Sequence, residues 1–364
     1  MPVAEYFGTD YITSRELFRH AARSAGATVQ TLELPGHRSP KNESLTMDIG
    51  RIGASEPDRA LVIISGTHGV EGFAGSGCQV GFFIDRLYQA LPAGACAVLV
   101  HALNPFGFAW LRRVNEDGVD LNRNFVDFSK PLPSSSAYEA LHDWLVPAQW
   151  QGEARRSADL GLQSYIQQHG PRAFQAAVTG GQFTRPTGLF YGGTRATWSA
   201  QTLISVLQQQ LPAAVRQIAV LDLHTGLGPP AYGEPILTSN TPGDRDRAVK
   251  WYGPEVKDLA SDESISAQLS GSIADGLWRA RSDVELTFLG LEFGTRPMME
   301  VLTALRADHW LHSVGTVDAE LQSAIQQQMR SAFYCDTPAW QAAVYGRTAD
   351  FIYRGCRGLA GAGG

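Results

Sequence analysis

Two histidines and two glutamates, residue types that bind metals and carry protons, stand directly after runs of apolar residues. His68 and Glu71 lie three residues apart in SGTHGVEG, His224 lies in DLHTG, and Glu292 lies in LEFGT. Two histidines and a glutamate with an open fourth position are what a catalytic zinc site requires. A lone His-x-x-Glu pair is common by chance, so the hypothesis of a metal site depends on whether the fold brings these residues together.

The fold that would position them can be read from four short, nearly continuous apolar runs. Such runs are typical of strands buried on both faces of a parallel or mixed sheet. Helical patterns lie between them, and strands that alternate with helices predict an α/β layered fold. The runs are Ala60–Ser65, Ala95–Leu103, Ile218–Leu223 and Val284–Phe293.

The residues after these runs should meet at one edge of the sheet, because ligands in open α/β sheets bind beyond the carboxyl ends of the strands. That edge would receive both histidines, both glutamates and, from the segment RRVNEDGVDLNRNF, an asparagine–arginine pair. The glycines around His68 suit a tight turn that brings backbone close to a ligand. The convergence of four independent strand ends favours a metal site over a chance pattern.

At this point the motifs resemble a known family. SGTHGVEG, RVNEDGVDLNRNF, DLHTG and LEFGT are similar to the motif set of the zinc carboxypeptidase superfamily, which includes the aspartoacylase and succinylglutamate desuccinylase branch. The resemblance covers the chain from about Ala60 to about Arg296. DGVDLNRNF is its most specific part, since a chance match of that length is improbable. DLHTG looks more like the aspartoacylase branch and RNF more like the carboxypeptidases, which suggests a bacterial side branch.

The resemblance implies roles for the residues of the metal site. His68, Glu71 and His224 would bind one Zn²⁺ per chain, and Glu292 would be the general base. Zinc lowers the pKa of water to roughly 7, so hydroxide is available near neutrality. A carboxylate beside that water can take its proton and pass it to the leaving amine.

The resemblance also implies roles for residues that contact the substrate. Asn122 and Arg123 would bind a substrate carboxylate, and Arg113 would face the developing oxyanion. The rigid guanidinium fork of arginine matches a carboxylate with two hydrogen bonds, which lysine cannot do. Tyr232, in the loop after His224, is the candidate for the tyrosine that many carboxypeptidases bring over the substrate.

The expected architecture is a three-layer α/β/α fold with a central mixed, largely parallel sheet, as in carboxypeptidases. We interpret residues 1–364 as a single metallo-hydrolase domain. Residues 129–212 show no convincing strand and are interpreted as a mainly helical insertion that could roof the site. A helical C-terminal region is expected at about 298–357.

Composition excludes several classes of protein. The 364 residues carry 30 basic and 36 acidic side chains, a net charge of −6, and no clustered basic stripe, so nucleic-acid binding is not expected. The N-terminus lacks the pattern of a signal peptide, and no apolar stretch is long enough to span a bilayer. The four cysteines form no CxxC pair, and free thiols in the cytoplasm are the expected state.

Several alternatives stay open at this stage. The substrate would be a small peptide, cleaved as by a carboxypeptidase, or an N-acyl amino acid, cleaved as by a deacylase of the aspartoacylase type. These two activities differ in which side of the scissile bond carries the bound carboxylate, and the sequence does not decide between them. A serine esterase is disfavoured because no GxSxG elbow is present. A non-catalytic metal-binding scaffold is disfavoured because it has no need of Glu292.

Some further residues have two readings. Asp222 lies two residues before His224, so on a strand the two side chains share a face. It could orient the histidine or be a buried, hydrogen-bonded aspartate. His101 is interpreted as a core histidine, Arg112 as a structural charge, and the histidine pair at 309 and 312 as favouring the end of a helix rather than binding metal.

Overall fold

The core of the protein is a mixed β-sheet. The computed structural model describes residues 1–238, 242–259, 264–314 and 317–361. Within these residues the sheet has eight strands. The strands are β1 (Thr28–Arg38), β2 (Ser44–Gly53), β3 (Arg59–Ser65), β4 (Ala95–His101), β5 (Gln217–Pro230), β6 (Glu234–Thr238), β7 (Lys257–Asp258) and β8 (Glu285–Gly294).

The strand order is β1-β2-β4-β3-β5-β8-β6-β7. The centre, β4-β3-β5-β8, is parallel, whereas β1 and β2 at one edge and β6 beside β8 pair antiparallel. All four apolar runs are these central strands, which confirms the predicted mixed sheet with a parallel centre. Since the four strands point the same way, their carboxyl ends meet at one edge.

Helices cover both faces of the sheet. They are α1 (Tyr11–Ser24), α2 (Gly72–Ile84), α3 (Pro105–Ala109), α4 (Ser136–Leu145), α5 (Gly152–His169), α6 (Pro171–Thr179), α7 (Trp198–Gln210), α8 (Pro242–Tyr252), α9 (Ile273–Ala280), α10 (Met298–Ser313), α11 (Ala319–Phe333) and α12 (Pro338–Gly361). No helix within the described residues is both long and apolar enough to cross a membrane.

Alternate residues of the central strands pack on opposite helical layers. Leu61 and Ile63 of β3 belong to a core shared with α1, α2, α8 and α12, whereas Val62 and Ile64 belong to a core shared with α7 and α9. Successive strand side chains point to opposite faces, so a strand buried on both faces must be apolar at every position. This confirms the three-layer α/β/α architecture.

The segment 129–212 contains four helices. α4, α5 and α6 pack against α10 and α11 in a separate hydrophobic cluster, while α7 packs on the sheet. The C-terminal region contains α10, α11 and α12, and residues 315 and 316 lie outside the described residues. The division into one domain with an insertion stays a proposal.

Two strands of the sheet, β2 and β6, have no counterpart among the predicted strands. β2 breaks its apolar pattern with Asp48, a buried carboxylate that Arg15 pairs at 2.7 Å. β6 is only five residues long and contains Pro235. The hydrophobicity pattern alone predicts a loop for a strand that contains a charged residue, because its partner is known only from the tertiary structure. It also predicts a loop for a short strand with a proline.

Candidate metal centre

The turn after β3 carries two of the predicted metal ligands. The chain leaves the sheet through Gly66, whose φ is +67°, and a single 3₁₀ turn over Gly69–Glu71 leads into α2. A Cβ atom at Gly69 would lie 2.0 Å from the carbonyl carbon of Gly107, so only glycine permits this close approach of two backbones. The His68 and Glu71 side chains are therefore buried on a tightly packed turn.

The three predicted ligands converge on one point. The Nδ1 atoms of His68 and His224 lie 3.2 Å apart. Glu71 lies between them, with Oε1 2.9 Å from Nδ1 of His68 and Oε2 3.1 Å from Nδ1 of His224. One donor atom from each of the three residues lies within 4.8 Å of the others, an arrangement that could hold a metal ion. All three side chains are buried.

Each histidine turns its second ring nitrogen to a carboxylate. Nε2 of His224 lies 2.7 Å from Oδ2 of Asp222, and Nε2 of His68 lies 3.2 Å from Oδ1 of Asp120. Carboxylates placed in this way fix the orientation and tautomer of histidines that bind metals. Asp222 thus both orients His224 and is a buried, hydrogen-bonded aspartate, so its two readings are compatible.

Asp120 was missed as a functional residue although it lies inside the most specific motif. Besides contacting His68, it accepts a hydrogen bond from Nε of Arg113 at 3.0 Å. Burial alone would raise the pKa of Asp120, but the charges of Arg113 and His68 hold it well below its usual range. The signal that could have found it is its position between Val119 and Leu121, since an acidic residue between apolar neighbours predicts a buried carboxylate that needs partners.

Arg113 lies beside the predicted metal ligands. Its Nη1 donates to Oε1 of Glu71 at 3.1 Å, and its Nη2 lies 2.8 Å from Nε2 of His68. Burial would lower the pKa of this guanidinium, but Asp120 and Glu71 raise it. A permanent positive charge is therefore held at the edge of the centre.

Glu292 lies next to the three predicted ligands without being part of their group. It pairs in register with His224 on the neighbouring strand, and its Oε1 accepts the backbone N–H of Leu227 at 3.0 Å. Burial, followed by the negative charge of Glu71, raises the pKa of Glu292 from 4.5 to about 7. A carboxyl group with this pKa can take up and release a proton near neutral pH.

Asn122 and Arg123 face the same cleft but are held by the protein. Oδ1 of Asn122 accepts the N–H of Ile273 at 3.0 Å, at the start of α9. Arg123 donates from Nε and Nη2 to the carbonyl of Thr179, at 3.0 and 2.6 Å, and from Nη1 to the carbonyl of Asn122 at 2.8 Å. Burial lowers the pKa of Arg123 to about 10. These bonds leave part of the guanidinium fork without a donated bond.

A cleft leads away from the candidate metal centre, and several elements of the fold form its wall. Helix α6 and Phe190, from the segment 129–212, form part of its wall, together with α10 and the ends of β6 and β8. Residues of segment 129–212 therefore line the cleft, and a role of the segment as its roof stays a prediction. The predicted residues that line the cleft are His68, Arg113, Asn122, Arg123, His224 and Glu292.

The structure does not bring Tyr232 into this cleft. Its side chain is 43% exposed, and the guanidinium of Arg347 lies 5.8 Å from the centre of its ring. The connection between β5 and β6 is so short that it carries Tyr232 to the surface beside α12. The expectation that Tyr232 lies over the substrate is therefore not supported by this conformation.

The remaining histidines lie elsewhere. His101 is buried against Phe18, with Nε2 2.9 Å from the Ser76 hydroxyl, as expected of a core histidine. Nδ1 of His309 lies 3.2 Å from the carbonyl of Thr187, and His312 contacts the carbonyl of Asp308 within α10. Neither is part of the metal centre.

Two more expectations about side chains hold. Arg112 forms a buried ion pair with Asp308 at 3.1 Å, so it is a structural charge. The four cysteines, Cys78, Cys96, Cys335 and Cys356, are all free thiols.

The electrostatic field among His68, Glu71 and His224 favours a cation. Burial would lower the pKa of His224, but Asp222 and Glu71 raise it well above its usual value. Burial would raise the pKa of Glu71, but His68 and His224 hold it below its usual range. Carboxylates that stabilise a positive imidazolium stabilise a divalent cation at the same place for the same electrostatic reason.

The fold and the site together define a three-layer α/β protein with a buried His/Glu/His group at the carboxyl ends of its parallel strands. The chain belongs to the family described as "Protein of unknown function (DUF2817)", whose match covers residues 7–347. No curated protein matches the chain.

Several solved structures are similar to the chain. Bovine thrombin-activatable fibrinolysis inhibitor, in complex with tick carboxypeptidase inhibitor, is 11% identical, with 98% of this chain and 99% of that chain covered and a TM-score of 0.49. A metallo-carboxypeptidase from Pseudomonas aeruginosa is 13% identical, with coverages of 94% and 71% and a TM-score of 0.42.

An aspartoacylase family protein from Mesorhizobium loti is 16% identical, with coverages of 80% and 68% and a TM-score of 0.35. At such identities and TM-scores, none of these likenesses assigns an activity to this chain, so an assignment has to come from the side chains of the site.

Proposed function

We propose that the protein is a zinc-dependent hydrolase that cleaves an amide bond in a small carboxylate-bearing substrate, in the manner of a carboxypeptidase. One observation carries this proposal. His68, Glu71 and His224 converge on one point, while Glu292 stands beside them and is not part of the group. A site that only stored a metal would have no use for a buried carboxyl group that stands beside the ligands without being one of them.

The donor set fits zinc. Two imidazole nitrogens and one carboxylate are a usual set for catalytic zinc, and a fourth position stays open. Both histidines have their other nitrogen against a carboxylate, which is the typical support of a zinc-binding histidine. When bound, zinc would lower the pKa of water and polarise the carbonyl group of the substrate.

Arg113 would stabilise the developing negative charge on the carbonyl oxygen. A His68 ring that offers the Nδ1 lone pair to a cation must carry its proton on Nε2, where Asp120 accepts it. Nη2 of Arg113, which lies 2.8 Å from that nitrogen, then needs another acceptor. The substrate's oxygen would provide it.

Arg123 and Asn122 would bind the substrate's carboxylate. The guanidinium of Arg123 is buried and oriented by the carbonyl of Thr179, and the Phe190 ring lies 5.4 Å from it. An arginine held in this way loses little freedom when it accepts an anion. The cost of its burial is offset only in part by Asp120, so an additional negative charge is favourable there.

Glu292 would act as the general base. Its Oε2 would take a proton from the attacking water, since Oε1 already accepts the Leu227 N–H. It would then return that proton to the leaving amine, which requires a pKa close to the working pH. The backbone bond to Leu227 holds the carboxylate at the edge of the centre during both steps.

Metal analysis combined with a substrate screen tests this proposal. The purified full chain should contain about one zinc, and His68→Ala and His224→Ala should lose it. His312→Ala, on α10, is the matched control and should keep the metal. The screen should contain dipeptides and N-acyl amino acids, which also separates carboxypeptidase from deacylase activity. A zinc-loaded protein that hydrolyses no member of either set would contradict the proposal.

The cellular location also stays a prediction. Free thiols at all four cysteines are compatible with the cytoplasm that we expect from the sequence.

A further inference from the structure

Phe190 contacts both of the arginines that the proposed mechanism uses. The centre of its ring lies 5.1 Å from the guanidinium carbon of Arg113 and 5.4 Å from that of Arg123. The ring is buried, and it lines the cleft together with both arginines. A guanidinium over an aromatic ring is attracted by the π electrons, most strongly where water is displaced. One side chain therefore stabilises two positive charges.

The two arginines need such a partner because like charges repel each other. Burial is the main reason why the pKa of Arg123 is lowered to about 10, and the positive charge of Arg113 lowers it as well. Asp120 offsets part of this cost, since Oδ2 accepts from Nε of Arg113 at 3.0 Å and Oδ1 lies 4.0 Å from Nη1 of Arg123. The ring of Phe190 adds a second attraction without a negative charge that would repel an anionic ligand.

The backbone of Phe190 is strained. Its φ is +54°, in the left-handed region that residues with a bulky side chain rarely adopt. Such a residue stays in this region only where the surrounding structure enforces it, and positions of this kind cluster at functional sites. Glycine would adopt the same conformation at lower cost. The strain therefore favours a role for the ring itself.

Gln182 holds the loop that leads to Phe190. Its Oε1 accepts the N–H groups of Thr184 and Arg185 at 3.0 and 2.8 Å. Its Nε2 donates to the carbonyls of Arg185 and Leu189 at 2.8 and 3.3 Å. The backbone N–H of Gln182 also donates to the carbonyl of Phe190 at 3.1 Å. The loop is thus closed around one buried amide, which explains how the strained conformation is maintained.

The same loop is fixed to the segment that carries Arg123. The backbone N–H of Asp120 donates to the carbonyl of Tyr191 at 2.8 Å. Nδ2 of Asn124 donates to the carbonyl of Gly192, also at 2.8 Å. These bonds fix the two residues that follow the ring, so the ring and the arginine keep their relative position.

We propose that Phe190 is a positioning residue that orients Arg113 and Arg123 for an anionic ligand and lowers the cost of holding both charges in the cleft. The inference rests on the proposed function for the nature of that ligand, which is a carboxylate at Arg123 and a developing oxyanion at Arg113. Phe190 acts through the two arginines and not on the reacting atoms. Since it belongs to segment 129–212, it makes that segment part of the site.

Calorimetric binding of succinate to the full chain in the presence of zinc tests this inference without turnover. Succinate should bind the wild type more tightly than its uncharged diamide. Phe190→Leu and Phe190→Met keep an apolar side chain but remove the aromatic ring, and each should weaken succinate binding by roughly 5- to 30-fold. Phe190→Tyr keeps the ring and should retain the affinity. Phe183→Leu, the same change in the same loop at a buried ring that packs against Gly192, is the matched control and should weaken binding much less.

A double-mutant cycle separates positioning from a general loss of stability. The effect of Phe190→Leu on succinate binding should be clearly smaller in an Arg123→Ala background than in the wild type, because part of it acts through the missing guanidinium. A role in stability alone would lower the Tm of Phe190→Leu and leave its effect on binding equal in both backgrounds.

The outcomes distinguish this inference from the proposed function. If amides are hydrolysed but Phe190→Leu affects succinate binding no more than Phe183→Leu does, the inference is wrong and the proposed function stands. If no amide is hydrolysed but succinate binding shows the expected coupling between residues 190 and 123, the inference stands and the proposed function is wrong. Additive effects in the cycle, or a wild type that does not bind succinate, would overturn the inference.

Discussion

Asp222 and His224 lie two residues apart on β5, and Oδ2 of Asp222 lies 2.7 Å from Nε2 of the histidine. The other oxygen of Asp222 accepts the hydroxyl of Thr67 at 2.7 Å, and both groups are fully buried. With both oxygens engaged, the carboxylate cannot rotate away from the ring. It therefore favours the tautomer with the proton on Nε2 and leaves Nδ1 free to face Glu71.

This relationship predicts the effect of Asp222→Asn. The amide is close in shape but can present an N–H to Nε2, which would favour the wrong tautomer. We expect zinc affinity to fall about 10- to 100-fold, measured by competition with a chelator of known affinity. Asp350→Asn, which removes a carboxylate from an ion pair with Arg354 on α12, is the control. An unchanged affinity in Asp222→Asn would mean that the contact does not support a metal.

The second prediction concerns Glu292→Gln. Glutamine keeps the size of the side chain and can still accept the Leu227 N–H, but it cannot take a proton. Zinc content and Tm should survive while kcat falls by roughly a hundredfold or more. A purely structural Glu292 would be expected to pair with a nearby arginine such as Arg296, but Nε of Arg296 donates to the carbonyl of Ser331 instead. Turnover near that of the wild type, together with a lower Tm, would identify Glu292 as structural.

The third prediction is the pH dependence of kcat/KM. Glu292 must be deprotonated to act as a base, and burial with the charge of Glu71 raises its pKa from 4.5 to about 7. A bound zinc ion lowers that pKa again, because positive charge favours the carboxylate. Activity should therefore be full above the apparent pKa and fall tenfold per pH unit below it, with that pKa between these two values.

Zinc content has to be measured at each pH, since protonation of the ligands also releases metal at low pH. The residual activity of Glu292→Gln should not show this decrease at low pH. If the decrease persists in the variant while zinc is still bound, a group other than Glu292 causes it.

The fourth prediction concerns Arg123→Ala. Removing the guanidinium should lower kcat/KM for a free-acid substrate. The loss of transition-state stabilisation should be roughly 2–5 kcal/mol if the ion pair with the carboxylate is buried. Activity on the matching C-terminal amide should change much less, so that the variant no longer discriminates between them. Arg123 also holds the carbonyl of Thr179, so a lower Tm is expected and the ratio of the two substrates is the decisive measurement. A preserved preference for the free acid would exclude this role.

The fifth prediction is a stability effect of His101. Burial lowers the pKa of this histidine from 6.5 to about 4 in the folded protein. The unfolded chain therefore binds more protons between these values, and the free energy of unfolding decreases as the pH falls through this window. The loss is up to about 3 kcal/mol, from ~1.4 kcal/mol per pKa unit.

Urea denaturation at several pH values between 7 and 4 measures this effect. His101→Gln lacks the titrating ring, so its stability should fall less steeply with decreasing pH, even if it is lower at pH 7. Identical pH slopes in the two proteins would show that His101 does not titrate as its burial predicts.

The parallel centre of the sheet and the metal centre were predictable for the same physical reason. A strand buried on both faces needs an apolar residue at every position, so β3, β4, β5 and β8 stand out as continuous runs. Parallel strands bring their carboxyl ends together, so the polar residues that follow, such as His68 and His224, had to share one edge.

Other features depend on partners that are distant in sequence. Asp48 becomes acceptable in β2 because partners such as Arg15 engage its carboxylate. Asp120 is recognisable only once His68 and Arg113 lie beside it. Tyr232 shows the converse case. It follows the right strand, but the path of a short connection carries it to Arg347 at the surface.

By itself, then, the sequence determined which residues can hold a cation and which strands present them, because burial and strand direction leave a local hydrophobic signal. Only the tertiary structure decided the orientation of each imidazole, the pKa of Glu292 and the shape of the cleft beside it. These depend on the distances between atoms from separate elements. A contact or a charge contributed by a residue about a hundred positions away in the sequence is not visible in the local hydrophobic pattern.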